Sequence, residues 1–183
     1  LFRSDIHGIY EISKILCGPD SLPHILQSTL GVLDSFMDMS MGLVVLLDRV
    51  GEPELVVGGR LGSTSAQRCF DALPERALGQ IVVTDVPLVV DDVAADATFG
   101  DWDTSLWGPA DHRFTFIGVP IRDRDQAIGA LIIARSWQHY PTFEPDGDVR
   151  FLKMVANLMG QTIRLHRLLA RDRERLLDDQ RRL

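Results

Sequence analysis

Phe114-Thr115-Phe116-Ile117-Gly118-Val119-Pro120-Ile121, then Arg122-Asp123-Arg124-Asp125-Gln126, then Ala127-Ile128-Gly129-Ala130-Leu131-Ile132-Ile133-Ala134 is the stretch whose reading decides the fold. Two apolar runs rich in β-branched and aromatic residues flank five residues, four of them charged. Short runs of that composition joined by a charged bend predict a β-hairpin rather than a helix. Side chains alternate across a strand, so Phe114 and Phe116 share one face while Ile117, Val119 and Ile121 share the other. Both faces are apolar. The hairpin therefore belongs in the middle of a sheet, covered on both sides. Gly118 and Gly129 leave space for something to approach the backbone, whether a ligand or a packing neighbour.

Outward from this hairpin, Ile6, Ile9, Ile12, Ile15 and Leu16 recur at helical spacing and predict a helix from Ser4 to Leu16, ended by Gly18-Pro19. Asp20 or Ser21 caps a second helix carrying Leu22, Ile25, Leu26, Leu30, Leu33, Phe36 and Met37 on one stripe. Leu43 to Leu47 and Glu54 to Val57 flank a turn and form a second hairpin. Leu73 to Thr84 reads as a short helix with Pro74 near its first turn, and Leu88 to Asp91 as a strand. From Asp92 to Arg113 runs a long loop or weak helix with Phe99, Trp102 and Trp107 among acids; loops of this length are commonly functional when ordered.

Asp146 or Asp148 caps a last helix that runs to Leu183. Val155, Thr162, Leu169, Leu176 and Leu183 occupy one heptad position, and Leu158 and Leu165 another before Asp172 and Asp179 take it over. That pattern predicts a helix that leaves a domain and continues as a coiled-coil linker, about 55 Å long if straight.

Composition narrows the class. The 183 residues are 45% hydrophobic and 25% charged, as in a soluble globular domain, and the net charge of −7 counts against a nucleic-acid surface. Seven arginines face four acids between Arg164 and Leu183, but their interspersion suits a solvated helix face better than DNA. No apolar run is long enough to span a bilayer, no signal peptide opens the chain, and the cytoplasm is the expected location.

Chemistry-bearing patterns are sparse. Cys17 and Cys69 are too few for a disulfide framework or a zinc site. Gly58-Gly59-Arg60-Leu61-Gly62 lacks the ending of a phosphate loop, Ser63 and Ser65 form no nucleophile elbow, and the five histidines are dispersed, so no catalytic residue is expected. The acids Asp91, Asp92, Asp96, Asp101 and Asp103 fit no EF-hand spacing; they read as a solvated rim with helix caps, and no metal is expected. Arg113 with His112, beside the Trp-bearing loop, admits two readings: a bidentate carboxylate site or a surface salt bridge.

The order of elements, together with Leu88-Val89-Val90-Asp91-Asp92-Val93-Ala94 and Ile117-Gly118-Val119-Pro120-Ile121 followed by Ile128-Gly129-Ala130-Leu131, resembles a GAF domain. Three phrases are more specific: Gly8 to Leu16, Phe116 to Arg124, and Phe151-Leu152-Lys153-Met154-Val155-Ala156-Asn157-Leu158-Met159-Gly160-Gln161-Thr162-Ile163-Arg164. They resemble the amino-terminal regulatory domains of the NifA family of nitrogen-fixation activators. The resemblance implies an α+β fold: a six-stranded antiparallel sheet with terminal helices on one face and a ligand pocket under loops on the other. Residues 1–163 would be the GAF sensory domain and 164–183 a helical linker toward an AAA+ ATPase and a helix-turn-helix domain acting on sigma-54 RNA polymerase. It further implies control by nitrogen status through 2-oxoglutarate, a PII signalling protein or a NifL-type inhibitor.

Asn157 is the only asparagine and His112 follows Asp111 rather than cysteine, so the cyclic-nucleotide and bilin motifs of other GAF branches are missing. On this reading an anionic metabolite such as 2-oxoglutarate would meet Arg113 and His112, with Trp102, Trp107 and Phe99 closing the pocket and Gly118 and Gly129 admitting close approach. Val155, Leu158, Thr162, Leu165, Leu169 and Leu176 would form the homodimer and output seam, with no direct DNA or membrane contact. The alternatives are a structural dimerisation module with no ligand and a GAF-fold reductase, for which Cys17 and Cys69 are poorly placed.

Overall fold

The computed structural model describes residues 2–60, 62–99, 102–138 and 145–183. In chain order the elements are α1 (Phe2–Leu16), α2 (Leu22–Met37), β1 (Met41–Leu47), β2 (Pro53–Gly58), α3 (Ser63–Ala72), α4 (Glu75–Thr84), β3 (Leu88–Val90), a 3-10 turn (Val93–Ala95), β4 (Phe114–Asp123), β5 (Gln126–Ser136) and α5 (Pro145–Arg182). The strands form one antiparallel sheet in the order β2-β1-β5-β4-β3. The hairpin read from the sequence thus lies inside the sheet, with β5 at its centre.

Its bend is tighter than the charge pattern suggested. Arg122 and Asp123 belong to β4 and Gln126 to β5, so only Arg124 and Asp125 lie between the strands. Arg124 takes a left-handed backbone, φ +57°.

Alternation sorts the side chains into two cores. On one face Val44, Leu46, Ile117, Val119, Ile121, Leu131 and Ile133 pack against α1, α2 and α5, which contribute Ile12, Leu26, Leu30, Leu33, Leu152, Val155 and Met159. On the other, Leu43, Val45, Phe114, Phe116 and Ile132 pack beneath α3, α4 and the loop that follows β3. Fully burying each large apolar side chain contributes roughly 1.5–3 kcal/mol, which is why a central strand pair can afford apolar residues at nearly every position.

The sequence reading missed α3. Its buried face consists of Ala66 and Cys69, residues too small to produce a clear apolar stripe. Ser21 does stand at the N-cap of α2, but its side chain makes no capping hydrogen bond. Among the described residues the sheet has five strands rather than six. The segment between β3 and β4 is curled instead of extended: Asp92, Asp96 and Asp103 accept the N–H groups of Ala94, Thr98 and Ser105 at 3.1, 2.8 and 2.9 Å. Asp101 lies outside the described residues.

Two of the contacts that fasten α5 to the sheet lie in its first half. Arg135 of β5, 5% exposed, pairs with Asp148 in the first turn of the helix. Two-fifths of the way along, Gly160 lies against the end of β4, where an added Cβ would stand 2.2 Å from the Arg122 carbonyl oxygen. At the sheet's edge, β3 covers only Phe116, Ile117 and Gly118 of β4. Among the described residues, β4 from Val119 to Asp123 is paired on its β5 side alone.

Candidate functional site

The face opposite the terminal helices is where the sequence placed a ligand. Phe99 and Trp107 are 1% and 7% exposed there, and Trp102 is half-buried. Their rings pack on one another and on the sheet. Phe99 lies 5.0 Å from Trp102 and 4.9 Å from Phe116, Trp102 stands edge-on to Trp107 at 4.1 Å, and Trp107 meets Phe114 at 5.5 Å. Apart from the closer Trp102–Trp107 contact, these separations are those of favourable tilted and edge-to-face pairs. The three loop aromatics do converge over β4, but they fill the space they converge on.

The glycines are explained by packing within the chain. A Cβ on Gly118 would stand 2.4 Å from Ile81 Cδ1 of α4, and one on Gly129 would stand 2.1 Å from the Val45 carbonyl oxygen of β1. Gly118 makes room for a helix side chain and Gly129 for the neighbouring strand.

Arg113 does not join the aromatic group. It precedes Phe114, whose ring faces that group, so strand alternation directs Arg113 to the opposite side. There its guanidinium lies over the Trp137 ring at 5.1 Å and pairs with Asp92 at 3.5 Å. Trp137 is itself held by Nε1 donating to Thr115 Oγ1 at 2.8 Å and to the Asp91 carbonyl at 3.0 Å. His112 stays half-buried at the rim, 6.3 Å from the Phe114 ring. The carboxylate clamp expected from Arg113, His112 and the tryptophans is therefore divided between two faces.

Polar chemistry on the aromatic face is limited. Trp102 Nε1 is buried without an acceptor among the described residues, a loss of about 1–3 kcal/mol unless water or an occupant supplies one. The Ser105 hydroxyl, followed by its N–H, holds the exposed Asp103 carboxyl below its usual range. Burial pushes the Cys69 thiol up, against a smaller lowering by Arg68. A buried, protonated thiol is a poor nucleophile. Among the described residues no group of three or more His, Cys, Asp or Glu side chains is placed to hold a metal.

The seam residues divide sharply along α5. Val155 is fully buried in the chain's own core, out of reach of a second chain, and Leu158 and Thr162 are half-buried. Leu165, Leu169 and Leu176 are 56%, 53% and 65% exposed. The first half of the helix is a core element; the second half touches the sheet through Arg164 and Arg167 and is exposed from Leu168 onward.

This architecture, with an antiparallel sheet between terminal helices and a loop-covered face, recurs among solved structures. The GAF domain of a phosphoenolpyruvate-protein phosphotransferase from Coxiella burnetii aligns over 92% of this chain and 97% of its own, with TM-score 0.72 and 17% identity. The A. aeolicus nlh2 GAF domain in an inactive state aligns over 88% and 96%, with TM-score 0.66 and 19% identity. A free methionine-R-sulfoxide reductase from Neisseria meningitidis has the same fold, at TM-score 0.65 and 20% identity over 88% of this chain and 89% of its own.

The chain belongs to the GAF domain family, whose pattern matches residues 21–163. Beyond the fold, it is similar to Nif-specific regulatory proteins. It is 43% identical to that of Azorhizobium caulinodans over 96% of this chain and 29% of the relative, and 43% identical to that of Bradyrhizobium diazoefficiens over 99% and 31%. The chain thus spans about three-tenths of the length of the curated relatives it matches.

Proposed function

We propose that this chain is the regulatory domain of a NifA-type transcriptional activator and that it controls a downstream AAA+ ATPase and DNA-binding domain acting with sigma-54 RNA polymerase. The observation that carries the reading is the division of α5. Phe151, Leu152, Val155, Met159 and Ile163 are built into the core, while the same continuous helix presents exposed leucines from Leu165 onward. A change in the body that tilts the buried half must move the exposed half. Pairing with a second copy through Leu165, Leu169 and Leu176 makes that movement a change in the geometry of two helices. Regulation follows if an effector binds one arrangement better than the other.

A protein effector, a PII signalling protein or a NifL-type inhibitor, fits the domain better than a metabolite buried on the aromatic face, because Phe99, Trp102 and Trp107 occupy that face themselves. The domain acts by binding rather than catalysis, in the cytoplasm; among the described residues no helix is long and apolar enough to cross a membrane.

The test is a pull-down with purified PII protein and calorimetry with 2-oxoglutarate, each on this chain, followed by transcription from a sigma-54 promoter with the full-length activator. Capture of PII, with loss of transcriptional control when residues 1–163 are deleted, is the expected result. Unchanged control after that deletion refutes the regulatory reading. Heat from 2-oxoglutarate that Trp107→Ala abolishes would restore the buried-metabolite route.

The structural-module reading is favoured by the same filled face. It requires that deleting the domain impair assembly of the activator while leaving the response to nitrogen status intact.

A further inference from the structure

We propose that the cleft between the β4–β5 turn and α5 is a binding site for a small organic anion carrying two or more carboxylate or phosphoryl groups. The cleft has a volume of about 500 Å³, and Arg124 of the turn with Arg164, Arg167 and Arg171 of the helix line it. Spacings of three and four residues bring the three helix arginines to one side of α5, and the turn brings Arg124 to them from the opposite wall. The volume is that of a metabolite site rather than of a single bound ion.

Charge is left over in this cleft. Asp123 and Asp125 also line it and Glu54 pairs with Arg167, so four guanidinium groups meet three carboxylates. Arg164 reaches Asp123 only at 3.7 Å. Arg167 is oriented by Glu54 at 2.8 Å and by the Leu47 carbonyl oxygen at 3.2 Å. Arg124 and Arg171 have no ion pair among the described residues. Guanidinium groups arranged around a concave space suit planar or tetrahedral oxyanions, which accept two parallel N–H bonds at once.

The backbone at Arg124 supplies a separate argument. It is the first of two loop residues in a hairpin and has φ +57°, a place where glycine or asparagine is comfortable and a longer side chain costs about 1–2 kcal/mol. Strain kept at one position is explained when its side chain has work to do there. The walls are also fixed in advance. Gly160 lets α5 lie directly on the end of β4, so little ordering is lost when an anion bridges them.

A compact anion suits the cleft better than a nucleic-acid strand, which would have to cross Asp48 and Glu54 in the adjoining hollow. Pairing through the leucines also leaves the cleft open. At 3.6 residues per turn the direction shared by Arg164, Arg167 and Arg171 lies about 150° around α5 from that of Leu165, Leu169 and Leu176. A bound anion would tie the sheet to the helix where the helix leaves the body. The site stands whether or not the domain regulates transcription.

The test is isothermal calorimetry of this chain at low ionic strength with two probes, citrate for the carboxylate chemistry and inorganic pyrophosphate for the phosphoryl chemistry. One site per chain with a dissociation constant of roughly millimolar or tighter is expected for at least one probe, and the stronger response identifies the chemistry. Arg124→Asn, which keeps a residue tolerant of the left-handed backbone, and Arg171→Gln should each weaken binding by about tenfold. Arg113→Gln should leave it unchanged. A thermal melt checks that each variant is folded. The proposal is overturned by the absence of saturable heat with both probes. Binding that survives the Arg124→Asn/Arg171→Gln double variant, or that disappears with Arg113→Gln, overturns it equally.

Discussion

Gly160 of α5 and Arg122 of β4 are in backbone contact: a single added methyl group on Gly160 would reach within 2.2 Å of the Arg122 carbonyl oxygen. Two effects compete in Gly160→Ala. Helix propensity favours alanine by about 1 kcal/mol. The clash is with backbone that a rotamer change cannot relieve, and overpacking of that kind costs about 1–3 kcal/mol. The clash should prevail, with a net loss of about 1 kcal/mol or more in urea denaturation. A more stable Gly160→Ala variant would show that the helix can lift off the strand without penalty.

Phe99→Ala removes a fully buried ring from the middle of the aromatic group and should cost about 3–5 kcal/mol. The fluorescence of Trp102 and Trp107 should shift as water reaches them. Because Trp102 lies 5.0 Å from Phe99, the loss should be non-additive with that of Trp102→Ala. Strict additivity would mean that the rings do not support one another.

Replacement of the two exposed leucines, Leu165→Glu with Leu169→Glu, should leave the melting of the chain, measured at a concentration too low for pairing, within about 0.5 kcal/mol of the parent, as surface substitutions do. Sedimentation should at the same time show a dimer converted to monomer. Val155→Glu serves as the contrast, since it buries a charge within one chain and should unfold it. If the double variant sediments exactly as the parent does, the leucines are not the seam.

Cys69 gives a pH-dependent prediction. Burial raises its folded-state pKa above the usual value of about 8.5, so the thiol is neutral in both states below that value and its contribution is fully present there. Above it the unfolded chain ionises first, and stability falls as pH rises toward the folded pKa. Denaturation midpoints should therefore decline above about pH 8.5 less steeply in Cys69→Ala than in the parent. A thiol reagent should label the exposed Cys17 quickly and Cys69 only on unfolding.

The hairpin was legible because its two-sided apolarity has few structural solutions, and the assignment of Phe114 and Phe116 to one face and Ile117, Val119 and Ile121 to the other follows from alternation alone. The helix α3 was not legible, since Ala66 and Cys69 carry little apolar signal. The convergence of Phe99, Trp102 and Trp107 could be guessed from a long loop rich in aromatic residues. Whether they line a space or fill it depends on rotamers that spacing does not encode. Arg113 was misplaced for a different reason: adjacency in sequence to an inward ring is, in a strand, adjacency to the opposite face. The arginines at 164, 167 and 171 were visible as a basic run, but the turn residue that completes their cleft lies some forty positions earlier.

The three-residue length of β3 has a consequence for how copies of this domain can meet. A sheet whose outer strand stops early offers bare main chain to any neighbouring strand, which is a route to fibrous association. Here the bare stretch contains Pro120, which has no N–H to offer, and the Asp85–Arg122 pair at 2.6 Å places charge beside it. The far edge, β2, begins with Pro53. Growth by adding strands is discouraged at both margins, which leaves the exposed helix faces as the surfaces free of that restriction.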